Sequence, residues 1–367
     1  MSSILIILAL MSLATLASRR GGFAALLASS VPAFAAGLIA GPQALHYISV
    51  EAANTLSPAT AVGVCWLGVL LGWKLTATRP RGRALGRNLG VVVGGALVAG
   101  LMFAAAAWLT TALSTITMVA AGFVVAAMIL PFSVAGDDPE DTAGDNGRAL
   151  DLVAIVGVVA AVAALLGKET LALLVIAVLV ATLAGAAALL VGGHDNQRRF
   201  PAVLSATTML TALAIALDVP VGIVGVGVGV GLGIVDRPRT FDAFLMATRA
   251  PMRLVVAFLV AMSVPISVAS TLLALALGLG QLLVVYVFSV DKDPLTNRFD
   301  TAVLRAASSS TGLLVLGSLL MMDRITPVLG PFVTGALGLS AIIVDVVAAG
   351  VLLIKKGRRA AMPGKVA

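Results

Sequence analysis

The chain has 367 residues, 60% of them hydrophobic and only 11% charged, with a mean hydropathy of +1.10. Soluble chains carry about 25% charged residues, and the apolar runs here have bilayer length, about 17–25 residues, without the alternating ten-residue strands of a membrane barrel. A single cysteine, Cys65, excludes a disulfide framework and a cysteine-based metal site, and the net charge of +7 is scattered between apolar runs rather than gathered into a nucleic-acid surface.

In chain order, the first apolar run covers residues 4–17 and is followed by Arg19 and Arg20. No Lys or Arg precedes it, so it reads as a membrane helix with its N-terminus outside rather than as a signal peptide. The second run, 23–40, contains Pro32 and closes on Gly41-Pro42. A polar connection with His46, Tyr47 and Glu51 leads to the third, 60–75, which ends at Trp73-Lys74. Basic residues from Arg79 to Arg87 precede the fourth, 89–108, and the fifth covers 116–134 with Pro131 inside it. An acidic loop, 137–145, opens into the sixth run, 151–166, with Asp151 at its mouth. Lys168-Glu169 turns into the seventh, 171–191. The eighth, 202–217, turns at Asp218-Val219-Pro220 into the ninth, 221–235, where glycine alternates with apolar residues. A basic connection from Arg237 to Arg253 leads to the tenth, 254–268, with Pro265 inside; the eleventh is 272–290, the twelfth 302–321 and the thirteenth 328–354.

The fold class expected is an all-α polytopic membrane protein of about 13 transmembrane helices. That count places 22 of the 24 basic residues on one side and leaves only Lys168 and Arg324 on the other. Lys and Arg favour cytoplasmic loops, so the N-terminus is expected outside, the C-terminus inside, and the protein in the plasma (inner) membrane. No soluble domain and no nucleotide-binding motif is visible, so no enzyme activity and no cofactor is expected.

Five features stand out. A proline-interrupted helix beside a carboxylate is how secondary transporters build ion sites, which singles out Pro131, Ser133 and Asp151. Asp345, in the apolar run IIVDVVAAG, is the deepest carboxylate. A midplane Asp costs about 2.5–3.5 kcal/mol to insert and so should face protein or water. Arg305, early in the twelfth run, is the charge available to pair with an acid. The alternating glycines, Gly225 to Gly233, read as a close helix-packing surface, with a homodimer interface as one place for it. The acidic loop 137–145 offers a surface for cations or for a basic protein partner.

The opening residues, with Gly37-Leu-Ile-Ala-Gly41-Pro42 closing the second run, resemble the start of the monovalent cation:proton antiporters of the second, potassium-efflux-like branch. SPATAVGVCWLGVLLGWKLTATRPR is similar to that family's third helix and the turn after it. IALDVPVGIVGVGVGVGLGIVDRP is similar to its paired helices around a glycine-rich core, and LRAASSSTGLLVLGSLL falls where the family has its second broken helix.

The resemblance implies two inverted six-helix repeats joined by a linking helix, with one broken helix per repeat crossing near the midplane. The repeats would be residues 1–168 and 200–355, the linker 169–199, and a basic tail 356–367. It places the unwound segments at 128–136, with Pro131 and Ser133, and at 306–312, with Ser308, Ser309, Ser310, Thr311 and Gly312. The charge pattern departs from the family. Asp151 stands alone and less than one turn after Arg148, and the eleventh run offers Gln281 where relatives often carry a basic residue.

The function expected is monovalent cation (Na⁺ or K⁺)/proton antiport by alternating access, with Asp151 or Asp345 as the ion-coupling carboxylate. One alternative is a transport-inactive subunit that anchors or scaffolds a partner protein. Another is a transporter of an organic or anionic solute on the same scaffold.

Overall fold

The computed structural model describes residues 31–76, 144–193, 196–236, 241–268 and 310–322, with short pieces of 270–279 and 335–343. Among the described residues the structure is helical and holds no strand. Its elements are α1 (Val31–Ala40), α2 (Val50–Thr76), α3 (Gly144–Gly192), α4 (Asn196–Ala216), α5 (Val221–Val235), α6 (Asp242–Met262) and α7 (Ser310–Leu320). Among the described residues, three stretches are long and apolar enough to cross a bilayer: Val50–Thr76, Glu169–Gly192 and Arg198–Ala216.

Local chemistry sets the helix ends. Ser49 caps α2 by accepting the Ala52 N–H at 3.2 Å. Gly167 interrupts α3 at φ 85°, ψ −176°, a conformation only glycine adopts freely. That break lies one residue before the expected Lys168-Glu169 turn. Asp218 adopts φ 49° after α4, the Asp218 N–H bonds the Ile215 carbonyl at 3.1 Å, and the Val219 N–H bonds the Ala214 carbonyl at 3.0 Å. This left-handed stop, closed by a 6→1 and a 5→2 bond, is a Schellman motif with Asp in place of glycine. Pro220 then starts α5.

α5 is the centre of the packing. In a helix, residues two apart point about 200° apart and residues four apart about 40° apart. Glycine at every second position therefore makes two smooth stripes on opposite sides. Gly225 and Gly229 lie against the Cys65 and Val69 carbonyls of α2, while Gly227 and Gly231 lie against the Val178 and Thr182 carbonyls of α3. The partners are smooth in turn: Gly68 and Gly72 of α2 meet the Gly222 and Val226 carbonyls, and Gly185 of α3 meets that of Val228. Close backbone approach through small residues is how helices pack where lipid removes the hydrophobic drive between them. The glycine run is thus occupied within the chain by α2 and α3.

These contacts fix directions. α2, the second segment of α3 and α5 run parallel, because Cys65 and Val69 match Gly225 and Gly229, and Val178 and Thr182 match Gly227 and Gly231. α6 runs opposite to α2, since Trp73 bonds Asp242 and Trp66 bonds Thr248. α7 also opposes α2, since Val64 meets Gly317 and Ser57 meets Met321. α1 runs with α6, with Gly37 against Phe258 and Gly41 against Met262. The outer faces of α3 and α4 expose Leu183, Leu190, Val191 and Met209.

One element differs from the sequence reading. The basic connection expected from Arg237 to Arg253 is helical from Asp242 onward, so α6 carries Arg249 and Arg253 within it. The reason is visible in the side chains: Phe241, Leu245 and Val256 are fully buried and recur at helical spacing straight through the charged residues. α6 ends at Met262, three residues before Pro265, and a new turn begins after Ser267. Ser267 and Ser270 cap it reciprocally, each hydroxyl accepting the other's backbone N–H at 3.0 and 2.8 Å.

Candidate functional site

Most of the expected site lies outside the described residues: Pro131, Ser133, Arg305, Ser308, Ser309 and Asp345, with most of the acidic loop 137–145. Asp151 is placed by its backbone on the first segment of α3, seven residues after Gly144. Ser310, Thr311 and Gly312, the last three residues of the stretch expected to be unwound, are helical in the described α7; residues 306–309 lie outside the described residues.

Two polar groupings are in view. The first gathers at one end of the bundle, where α2 and α5 finish and α4 and α6 start. The Trp73 indole N–H donates to the Asp242 carboxylate at 2.8 Å. Arg199 and Asp236 form an ion pair at 3.5 Å, with both side chains nearly buried. Arg199 also donates from Nε to the Gly193 carbonyl at 2.6 Å, and Asp236 accepts the Phe241 N–H at 2.9 Å. Beside them Phe200 packs at a tilt on Phe244 with ring centroids 4.7 Å apart, and Phe244 stacks on Phe241 at 5.3 Å. Tryptophan, lysine and arginine at a shared level are the marks of a bilayer interface, and Lys74 and Arg198 belong to the same ends of α2 and α4.

The second grouping centres on Arg253. It is 8% exposed and belongs to the buried set of the bundle. It stands eleven residues beyond Asp242, which is about 16 Å along a helix axis and halfway along α6. The register agrees. Thr248 before it accepts the Trp66 indole N–H at 3.0 Å, and Val256 after it packs on Gly63. Both partners fall inside the buried stretch Thr60–Trp73 of α2. Arg253 is engaged in an interaction of its own there and is not a free charge.

Arg253 and α7 share a level. Val260 meets Gly317 of α7, and α6 and α7 run in the same direction. Seven residues before Val260 is Arg253, and seven residues before Gly317 is Ser310. Two turns of helix keep the same face. The stripe of α6 that carries Val260 therefore brings Arg253 to the depth at which the Ser310-Thr311-Gly312 turn stands. The fold places one expected group, the hydroxyl-rich start of α7, level with a residue that the sequence reading had put in a loop. The signal that could have found Arg253 is the apolar helical stripe of Phe241, Leu245, Met252 and Val256 running through the basic segment.

Chemically, a guanidinium stays protonated at any physiological pH and presents five donors in a fixed fork. Such a group at this depth can hold a carboxylate of the protein or the negative group of a solute. No cluster of His, Cys, Asp or Glu that could hold a metal ion occurs among the described residues. No protein-family model matches the chain, and no curated protein matches it.

Proposed function

We propose that the chain is an ion-coupled secondary transporter of the membrane, exchanging Na⁺ or K⁺ for protons by alternating access. Its scaffold on this reading is about 13 spanning helices in two inverted repeats. The observation that carries the reading is Arg253, a charge buried halfway along a bundle that contains bilayer-length helices. A charged residue at that depth costs about 2.5–3.5 kcal/mol to insert and marks ion or substrate pathways. In the exchange, Asp151 or Asp345 takes the competing ions. Arg253 is the fixed positive charge that balances the empty carboxylate, so the site never holds an unpaired anion in low dielectric.

The test is flux in vesicles containing the purified protein. Exchange predicts that an outward proton gradient drives uptake of Na⁺ or K⁺, and that Asp151→Asn or Asp345→Asn abolishes it. Unchanged flux in both variants would remove these carboxylates from the mechanism. The absence of any flux, with one partner protein copurifying in fixed ratio, would favour the scaffold reading instead.

The same guanidinium favours a second reading, transport of an anionic solute, in which Arg253 holds the solute's carboxylate directly. Flux that requires an organic anion and ignores the cation supplied would select it.

A further inference from the structure

α6 is held in two different ways on either side of Pro251, which lies inside the helix. Beyond the proline it packs closely against glycines, through its backbone at Phe258 and Met262 and through side chains at Val256 and Val260. Gly37 presses on the Phe258 carbonyl, and a Cβ on Gly41 would lie 3.2 Å from the Met262 carbonyl. Gly63 meets Val256, and Gly317 meets Val260. Before the proline, its contacts include polar and aromatic ones: Trp73 to Asp242, Trp66 to Thr248, and the Phe200–Phe244 and Phe241–Phe244 pairs. The start of the helix is tied down by Asp236, whose carboxylate holds the Phe241 N–H with one oxygen and Arg199 with the other.

Proline removes one backbone hydrogen bond and crowds the preceding turn, so a helix bends there at lower cost than elsewhere. Glycine-to-carbonyl packing gives way only if whole backbones part. The Nη1–Oδ1 contact at 3.5 Å is longer than a well-formed charge-assisted hydrogen bond and separates more readily. Arg253 stands two residues beyond the proline, at the point where the two halves join.

We propose that the Arg199–Asp236 pair is a latch on the first half of α6. When it parts, residues 242–250 swing about Pro251 while residues 254–262 stay fixed to α1, and the swing opens a path from the Arg199 end of the bundle to Arg253. Arg199 and Asp236 are positioning residues in this device; neither touches the solute. The latch follows from the packing of α6 and stands whichever solute moves, so it is read without a transport assay.

The experiment uses the purified full-length protein with Cys65→Ala, which removes the only cysteine. One reporter is Leu245→Cys, at a fully buried position before the proline; the other is Ala257→Cys, equally buried beyond it. A bulky polar maleimide is the probe. With the latch intact, both positions react slowly. Arg199→Gln or Asp236→Asn is expected to speed labelling at position 245 about tenfold and leave 257 unchanged. Adding Pro251→Ala is expected to return position 245 toward its slow rate, and Arg199→Lys to stay near wild type. Equal acceleration at both positions would make the pair a general fold stabiliser and overturn the latch. No acceleration at 245, or acceleration that Pro251→Ala leaves in place, would overturn it as well.

Discussion

Arg253 is the residue on which the functional reading turns, and both the fold and the function make demands on it. Replacing a whole buried ion pair by apolar side chains is often neutral or stabilising, but removing one partner costs about 3–5 kcal/mol because the other is left uncompensated. Arg253 is engaged in an interaction of its own. We expect Arg253→Met to lower the melting temperature and its flux to fall at least tenfold, and Arg253→Lys, which keeps the charge, to lose less of both. A thermal scan beside a vesicle assay checks both halves. The sequence shows Arg253 as one of four arginines between the ninth and tenth apolar runs, and average polarity assigns all four to a loop. Its depth became legible only when α6 was seen to start at Asp242, because depth depends on where a helix begins and not on the residue itself. Asp345 had the opposite character. The apolar run on both sides of it made it conspicuous in the sequence, yet it lies outside the described residues.

At the scale of elements, α5 makes the sharpest demand. A methyl on Gly229 would collide with the Val69 carbonyl and stand 2.7 Å from the Trp73 nitrogen, both of them backbone atoms that cannot rotate away. Gly229→Ala is therefore expected to destabilise by at least about 1–3 kcal/mol, the usual cost of overpacking, as a lower melting temperature in detergent. Gly233→Ala is expected to cost less, because its neighbour is the Thr76 side chain, which can turn. Gly167→Ala tests a different cause: nothing lies within 4 Å of its Cβ, so any loss comes from φ 85° alone, about 1–3 kcal/mol. The alternation of glycine was correctly legible as a close-packing surface. The partners were not, because smooth stripes fit any smooth helix, and only the three-dimensional arrangement shows α2 on one side and α3 on the other. The Asp218-Val219-Pro220 turn and the 221–235 run were legible to the residue, since proline and a polar break leave little freedom of register.

Across the whole molecule, the directions of α2, α4, α5 and α6 bring the ends bearing Lys74, Arg198, Arg199 and Asp236 together. That is the end the charge asymmetry assigns to the cytoplasm. With Cys65→Ala as background, Tyr47→Cys and Arg198→Cys are expected to react with an impermeant maleimide from opposite faces of sealed membranes. Labelling of both from one face would break the topology. The number of spans, the inverted repeats and the crossing of two broken helices belong to the proposal, because the pattern of apolar runs sets helix count without setting which helices meet. What joins the scales is one proposal: that the charge buried halfway along this bundle serves to move a solute. The most direct measurement is solute flux into vesicles of the wild type and of Arg253→Gln, at equal protein content and after both are shown to be folded. The account predicts flux driven by a proton gradient in the wild type and a loss of at least tenfold in the variant. Equal flux in the two, or none in the wild type under cation and organic-anion conditions alike, would contradict it.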